Sequence, residues 1–301
     1  MIAALILAAL SVLMFGPTGR WLARATWPSH APKAAIVLWQ SIGVAGALAA
    51  VAAGLSVAVA PLHTGILSGV IRLENQGMAG RPLQDLGLAG ALGLELATDV
   101  VTILVLGLAL AVIRAARARS RHRGLLTLIA DRSDRVPGAL LLDDQRATAY
   151  YLPGIRPRIV LSTGTLVLLD SDELSAVVAH ERGHQHARHD LAMLPFASMN
   201  ALLAWVPYVH HARKSVATLF EMAADDFAAK RADPRALASA LVEMSSSGSV
   251  LTCAFGIAST GVTARVCRLL QPTRTSPKTA AIALSAALGV VALPLVALLV
   301  P

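Results

Sequence analysis

Five consecutive residues, His180-Glu181-Arg182-Gly183-His184, combine two metal-ligating side chains with a carboxylate. Histidines at i and i+4 project from one face of a helix, so both imidazoles reach a single metal ion. Zn2+ is the cofactor this donor set suits. It lowers the pKa of a bound water to about 7 and polarises a scissile carbonyl. Glu181 stands beside the pair and can take the proton from that water as a general base. Two histidines leave such a site incomplete, because a catalytic zinc takes three protein ligands and keeps one position open. The downstream candidate is Glu221, in Phe220-Glu221-Met222-Ala223-Ala224-Asp225. Glu221 and Asp225 lie one helical turn apart and can face the same partner. Glu221 would be the third ligand. Asp225 would hydrogen-bond the far nitrogen of a ligand histidine and fix its tautomer.

The plainer reading is a polar helix face with surface histidines, followed by a solvated helix start at Glu221. His186 and His189 on the same stretch favour it; the apolar Val177 and Val178 just before the motif oppose it. Asp226 is a weaker candidate behind the ligands, and Asp190 could orient the end of the motif helix. His210 and His211 could stabilise an oxyanion, but their neighbours Arg213 and Lys214 suit a membrane surface better.

The motif needs a helix with a fixed start. Asp170 with Glu173 three residues later fits a capping box, and Leu174, Val177 and Val178 follow at helical spacing. Ahead of it, Ala139 to Leu142, Ala147 to Leu152 and Arg158 to Ser162 alternate like strands. Turn signals separate them, Asp143-Asp144-Gln145 and Pro153-Gly154. This predicts a small antiparallel sheet.

The rest of the chain is apolar. Of its 301 residues 55% are hydrophobic and 15% charged, against about 25% charged in a soluble domain. Aromatics make up only 4%, which argues against a barrel with aromatic girdles. The fold class is a mainly α multi-pass membrane protein carrying an α+β domain. Four apolar runs stand out: Ile2 to Phe15, Ala34 to Leu62, Leu88 to Ile113 and Thr279 to Val300. A span needs about 20 residues, so the first run should continue through Trp21. No basic residue precedes it, as one would in a secretory signal, so it reads as an uncleaved anchor. Glu95 and Asp99 share one face of the third run, near its outer end.

The net charge of +8 is unevenly placed. Arg114, Arg117, Arg119, Arg121 and Arg123 crowd behind the third run, whereas the loop from His63 to Gly87 balances Arg72 and Arg81 against Glu74 and Asp85. Positive-inside orientation then places the segment after Arg114 in the cytoplasm and both termini outside. No nucleic-acid-binding motif accompanies the charge, and a homodimer is left open. The expected layout is three spans in 1–113, a zinc-binding domain in 114–278 and a fourth span in 279–301. Leu191 to Tyr208 is apolar and almost long enough to cross. If it did, Glu221 would lie on the opposite side from His180, so segment 191–208 must be re-entrant, lie on the membrane surface, or form a hairpin broken near Pro195 and Asn200. Cys253 and Cys267 have no ligand spacing and read as reduced packing residues.

These residues resemble the BlaR/MecR-type antirepressor family of membrane zinc metallopeptidases. The resemblance rests on Tyr150-Tyr151-Leu152-Pro153-Gly154 before Pro157 to Ser162, on Leu168-Leu169-Asp170 leading into His180 to His184, on Trp205-Val206-Pro207 before Glu221 to Asp225, and on Arg265-Val266-Cys267-Arg268-Leu269-Leu270. It implies a gluzincin-like cytoplasmic domain in which His180, His184 and Glu221 bind zinc and Glu181 is the catalytic acid/base. It also implies self-cleavage and cleavage of a BlaI/MecI-type repressor as protein substrate. Members that sense β-lactams carry a penicillin-binding domain after the last span. None is expected here, which leaves the signal undefined. A quality-control protease similar to HtpX shares the HExxH and Glu-x-x-x-Asp layout. A non-proteolytic zinc-containing scaffold would have no use for Glu181.

Overall fold

The computed structural model describes residues 1–80, 86–154, 157–246, 261–271 and 277–299. Arg81, Asp85, Cys253 and the end of the last run at Val300 lie outside the described residues. The chain divides into two compact units. One comprises Met1–Leu110, Phe196–Lys214 and the last helix; the other comprises Ala111–Pro195 and Ser215–Thr275.

The first unit is helical. Helix α1 (Ile2–Leu13) passes through a π-turn at Met14–Thr18 into α2 (Gly19–Arg24). Pro17 lacks an N–H and would clash in a regular α-turn; the wider turn accommodates it. The result is an unbroken apolar stretch of 23 residues, Ile2–Arg24, long enough to cross a bilayer. Helix α3 (Pro32–Val59) continues as a 3-10 turn to Leu62, and α4 (Ile66–Met78) follows. Helix α5 (Gly87–Ile129) begins in this unit, and α13 (Pro277–Leu299) is the last of its described helices. Four helices are long and apolar enough to cross a membrane: Ile2–Arg24, Pro32–Leu62, Gly87–Ile129 and Pro277–Leu299.

Lipid gives no hydrophobic drive between such helices, so small residues must let them approach for van der Waals contact. Ala35, Ala45, Ala49 and Ala52 of α3 are fully buried. Where α3 meets α5, a Cβ at Gly54 would lie 2.6 Å from the Gly93 carbonyl, and one at Gly93 equally close to that of Gly54. Only glycine fits at either position. Glu95 and Asp99 are exposed on α5, turned away from the protein.

The stretch from Leu191 is helical but interrupted. Short α8 (His189–Ala192) and α9 (Leu194–Leu203) precede a turn at 204–206, and α10 (Pro207–Ala228) follows. Ten residues rise only about 15 Å, half a bilayer core. The breaks fall at Met193 and at 204–206; Pro195 and Asn200 both lie within α9. Phe196–Lys214 belongs to the first unit, where the Tyr208 hydroxyl donates to the Trp39 carbonyl. Its ring occupies room left by Gly19 and Gly43, where a Cβ would come within 2.9 Å. The chain thus leaves the second unit at Pro195 and re-enters it at Ser215.

The second unit holds a four-stranded sheet of β1 (Ala130–Arg132), β2 (Leu140–Leu142), β3 (Ala149–Leu152) and β4 (Arg158–Ser162), in the order β1-β2-β4-β3. The sheet is mixed rather than antiparallel throughout. β3 and β4 form a hairpin, but that hairpin joins β2 through β4, in parallel. Alternation reports which face of a strand is buried, not which neighbour it takes. Strand β1 is short and largely exposed, so it carries no alternation to read. The sheet places β3 at an edge.

Behind it, α6 (Thr163–Leu168) leads into the motif helix α7 (Ser171–Ala187). Its capping box is complete. Asp170 accepts from the amides of Asp172 and Glu173 at 2.8 and 2.9 Å, and the Glu173 carboxylate accepts from the Asp170 amide at 3.1 Å. Leu174, Val177 and Val178 pack into a core with Ile159 and Leu161 of β4 and Met244 of α11 (Pro234–Ser246). Loss of an N-cap side chain costs about 1 kcal/mol. Asp170→Ala should therefore lower the stability of this unit by about that amount, measured as an earlier thermal transition, without displacing the motif residues. Helix α12 (Val262–Leu270) packs against α7 and α11 through Val262, Val266 and Leu269. Cys267 on α12 is exposed rather than packed: α12 buries one face only, and Cys267 falls on the other.

Candidate metal centre

The capped start of α7 fixes its rotation, and the packed face carries His180, Glu181 and His184 into the interior, where all three are buried. Gly183 lets α7 and α10 approach. A Cβ there would meet the Ala224 Cα at 3.0 Å and the Phe227 Cβ at 3.2 Å. That close crossing brings α10 against the motif. Overpacking of this kind costs about 1–3 kcal/mol. Gly183→Ala should lower the melting temperature and metal content together, whereas Asp170→Ala lowers only the first.

Three potential ligands converge. The Nε2 atoms of His180 and His184 lie 3.1 Å apart. The Glu221 carboxylate approaches them at 3.4 Å (Oε2 to His180) and 3.5 Å (Oε1 to His184). Among the described residues, His180, His184 and Glu221 form the group of histidine and carboxylate donors able to hold a metal ion, with ligand atoms within 4.8 Å of one another. Two imidazole nitrogens and a carboxylate facing one buried point form the donor set of a catalytic zinc site. Asp225, fully buried, faces His180 Nδ1 at 2.9 Å. A carboxylate there holds the tautomer that leaves Nε2 free to ligate.

The electrostatics describe a place that demands positive charge. Burial lowers the His180 pKa, but hydrogen bonds to Asp225 and Glu221 outweigh it and lift the ring to about 9. Burial holds the His184 ring down, at about 4, the neutral form that ligation requires. Burial also works to raise both acids of α10; the Arg265 guanidinium prevails, holding Asp225 at about 2 and Glu221 well below the usual carboxylate range. Glu181 behaves differently. Burial pushes its carboxyl up to about 7, with Glu221 adding to it and His180 and the Tyr151 amide pulling it down. A base poised near neutrality can both accept and return a proton.

Three contributors have no role assigned by the sequence. The Tyr151 amide on edge strand β3 donates to Glu181 Oε2 at 2.7 Å; it is a backbone group, invisible in residue types. His189, weighed above only as an extra histidine, is buried. Its Nδ1 lies 2.8 Å from His184 Nδ1, and its ring packs against Phe220. The turn that brings it there runs through Arg188 in the left-handed region (φ 48°), ending α7. The third is Arg265, buried and paired with both Glu221 and Asp225. It lies 40 residues beyond Asp225, so no local spacing betrays it.

The weaker candidates separate. Asp226 pairs with Arg268 at 2.6 Å, one step removed from the ligands. Asp190 is buried beside Arg119 of α5 at 3.4 Å. His210 and His211 fall in the other unit.

With this geometry in view, residues 115–259 match the model of Peptidase family M48. Over this stretch the chain is similar to a metallopeptidase domain. The match covers His180, Glu181, His184, Glu221 and Asp225; Arg265 lies beyond it. It supports a membrane-type zinc metallopeptidase and does not extend to the BlaR/MecR subtype. No curated protein and no solved structure matches the chain.

Proposed function

We propose that the chain is a membrane-embedded zinc endopeptidase in which His180, His184 and Glu221 hold the ion and Glu181 is the catalytic acid/base. The observation that carries this reading is the convergence of those three donors beside a buried carboxylate already held by a backbone amide. A bound zinc would supply the Lewis acidity that activates water and polarises the scissile carbonyl. The chain's own residues do the rest. Tyr151 N–H fixes Glu181 through Oε2, so Oε1 takes the proton from the attacking water. Glu181 then passes that proton to the departing amine. Asp225 orients His180, and His189 orients His184.

The arginines behind the third span support a cytoplasmic domain with both termini outside, in the layout 1–113, 114–278 and 279–301. In that layout the hairpin of α9 enters and leaves the bilayer from one side, keeping Glu221 with His180. The role we favour is regulatory cleavage of a BlaI/MecI-type repressor, and of the chain itself, in response to a signal. Its support is the span order together with the strand block of the resemblance. The HExxH and Glu-x-x-x-Asp layout of His180 to His184 and Glu221 to Asp225 gives a specific ground for a second reading, a quality-control protease similar to HtpX. Co-expression of the chain in membranes with a BlaI/MecI-type repressor and with an unfolded membrane protein separates them. Regulation predicts that the repressor alone is cut at one site; cleavage of the unfolded protein with the repressor intact favours quality control.

A further inference from the structure

We infer that Arg265 is a positioning residue that locks the metal ligand Glu221 and the His180-orienting Asp225 into one frame. The inference rests on the zinc-site reading above and goes beyond it, since that scheme gives Arg265 no part in holding the ion. Its guanidinium is bidentate on Asp225, with Nε to Oδ2 at 2.8 Å and Nη2 to Oδ1 at 2.7 Å, while Nη1 reaches Glu221 Oε2 at 3.0 Å. A planar, always-charged fork is the one side chain able to serve both carboxylates in fixed geometry. Those carboxylates stand one turn apart on α10, where like charges repel, and Glu181 brings a third into the same buried space.

The platform is also built. Arg265 is only 3% exposed, and its helix α12 packs on α7 and α11 through Val262, Val266 and Leu269. Arg268, one turn on, ties α12 to α10 through Asp226 at 2.6 Å and the Met222 carbonyl at 3.3 Å. The helix that bears the histidines and the helix that bears Glu221 are thus joined through a third, with Arg265 at the junction. A guanidinium near a dication also repels it, which opposes the positioning effect. Positioning prevails, because the Arg265 charge is already balanced by Asp225, whereas losing the fork releases a ligand and an orienter together.

The test uses the full chain in detergent as wild type, Arg265→Met, Arg265→Lys and Arg268→Met. Zinc affinity is read by chelator competition, and the ligand field by the absorption of the cobalt-substituted protein. Loss of groups that orient metal ligands typically weakens affinity 10–100-fold, and Arg265→Met should do so with an altered cobalt spectrum. Arg265→Lys keeps the charge without the fork and should recover part of the loss. Arg268→Met, which loosens α12 without touching a ligand, should weaken binding far less than Arg265→Met. Arg265→Met binding as tightly as wild type overturns the inference, and so does Arg268→Met weakening it equally, which would reduce Arg265 to an anchor for α12. If the methionine variant does not fold, wild-type affinity in Arg265→Lys overturns it instead. A wild-type chain that binds no metal overturns the zinc site itself.

Discussion

Replacing Glu181 with glutamine should leave the metal bound while hydrolysis falls by about 10²- to 10⁴-fold, the range that a positioned general base supplies. The glutamine amide keeps the volume of the carboxyl, and its oxygen can still accept from the Tyr151 amide that now holds Glu181 at 2.7 Å. What disappears is the ability to take a proton. The buried carboxyl is already drawn up to about 7 by its surroundings, so neutralising it adds no large strain. Zinc content and melting temperature should therefore stay near wild type, and only turnover should collapse. Peptide hydrolysis at wild-type rate by Glu181→Gln would remove Glu181 from the chemistry and leave the metal a structural one.

Removing Glu221 should have the opposite signature. Glu221→Ala deletes a proposed ligand and also strips Arg265 of one of its two carboxylate partners, at 3.0 Å. Breaking a buried ion pair by taking away one partner costs about 3–5 kcal/mol, because the remaining charge stays buried without compensation; Arg265 keeps Asp225, so the lower end applies. Zinc should be lost, activity abolished and the thermal transition lowered. Glu221→Gln should spare more of the stability than of the metal. The contrast is measurable on one preparation: elemental zinc and melting temperature both fall for Glu221→Ala, and neither falls for Glu181→Gln.

The parts of this molecule legible in sequence are those whose physics is local. The motif helix announced itself because Asp170 and Glu173 cap it and Leu174, Val177 and Val178 repeat at its period. Glu221 and Asp225 were legible from a spacing of one turn. The four long apolar helices followed from runs that a bilayer alone explains, including the extension of the first beyond Phe15. What sequence could not supply is what the tertiary fold brings together from afar. The parallel pairing of β2 with β4 depends on where a hairpin docks, not on the residues of either strand. His189 looked like one more polar residue until the left-handed turn at Arg188 folded it back onto His184. Arg265 was visible only as part of a family-like stretch, and its pairing with Glu221 and Asp225 needs α12 packed with α7 and α11. The Tyr151 amide is a backbone donor, and such donors have no residue code.

The most direct test of the central claim is the metal content of the purified full-length chain, determined by elemental analysis for wild type and for His180→Ala/His184→Ala. The account predicts about one zinc per wild-type chain, as expected for a single three-ligand site, removed by a chelator together with activity and restored with it, and none in the double variant. A wild-type chain without zinc, or a double variant that retains it, would contradict the site described here.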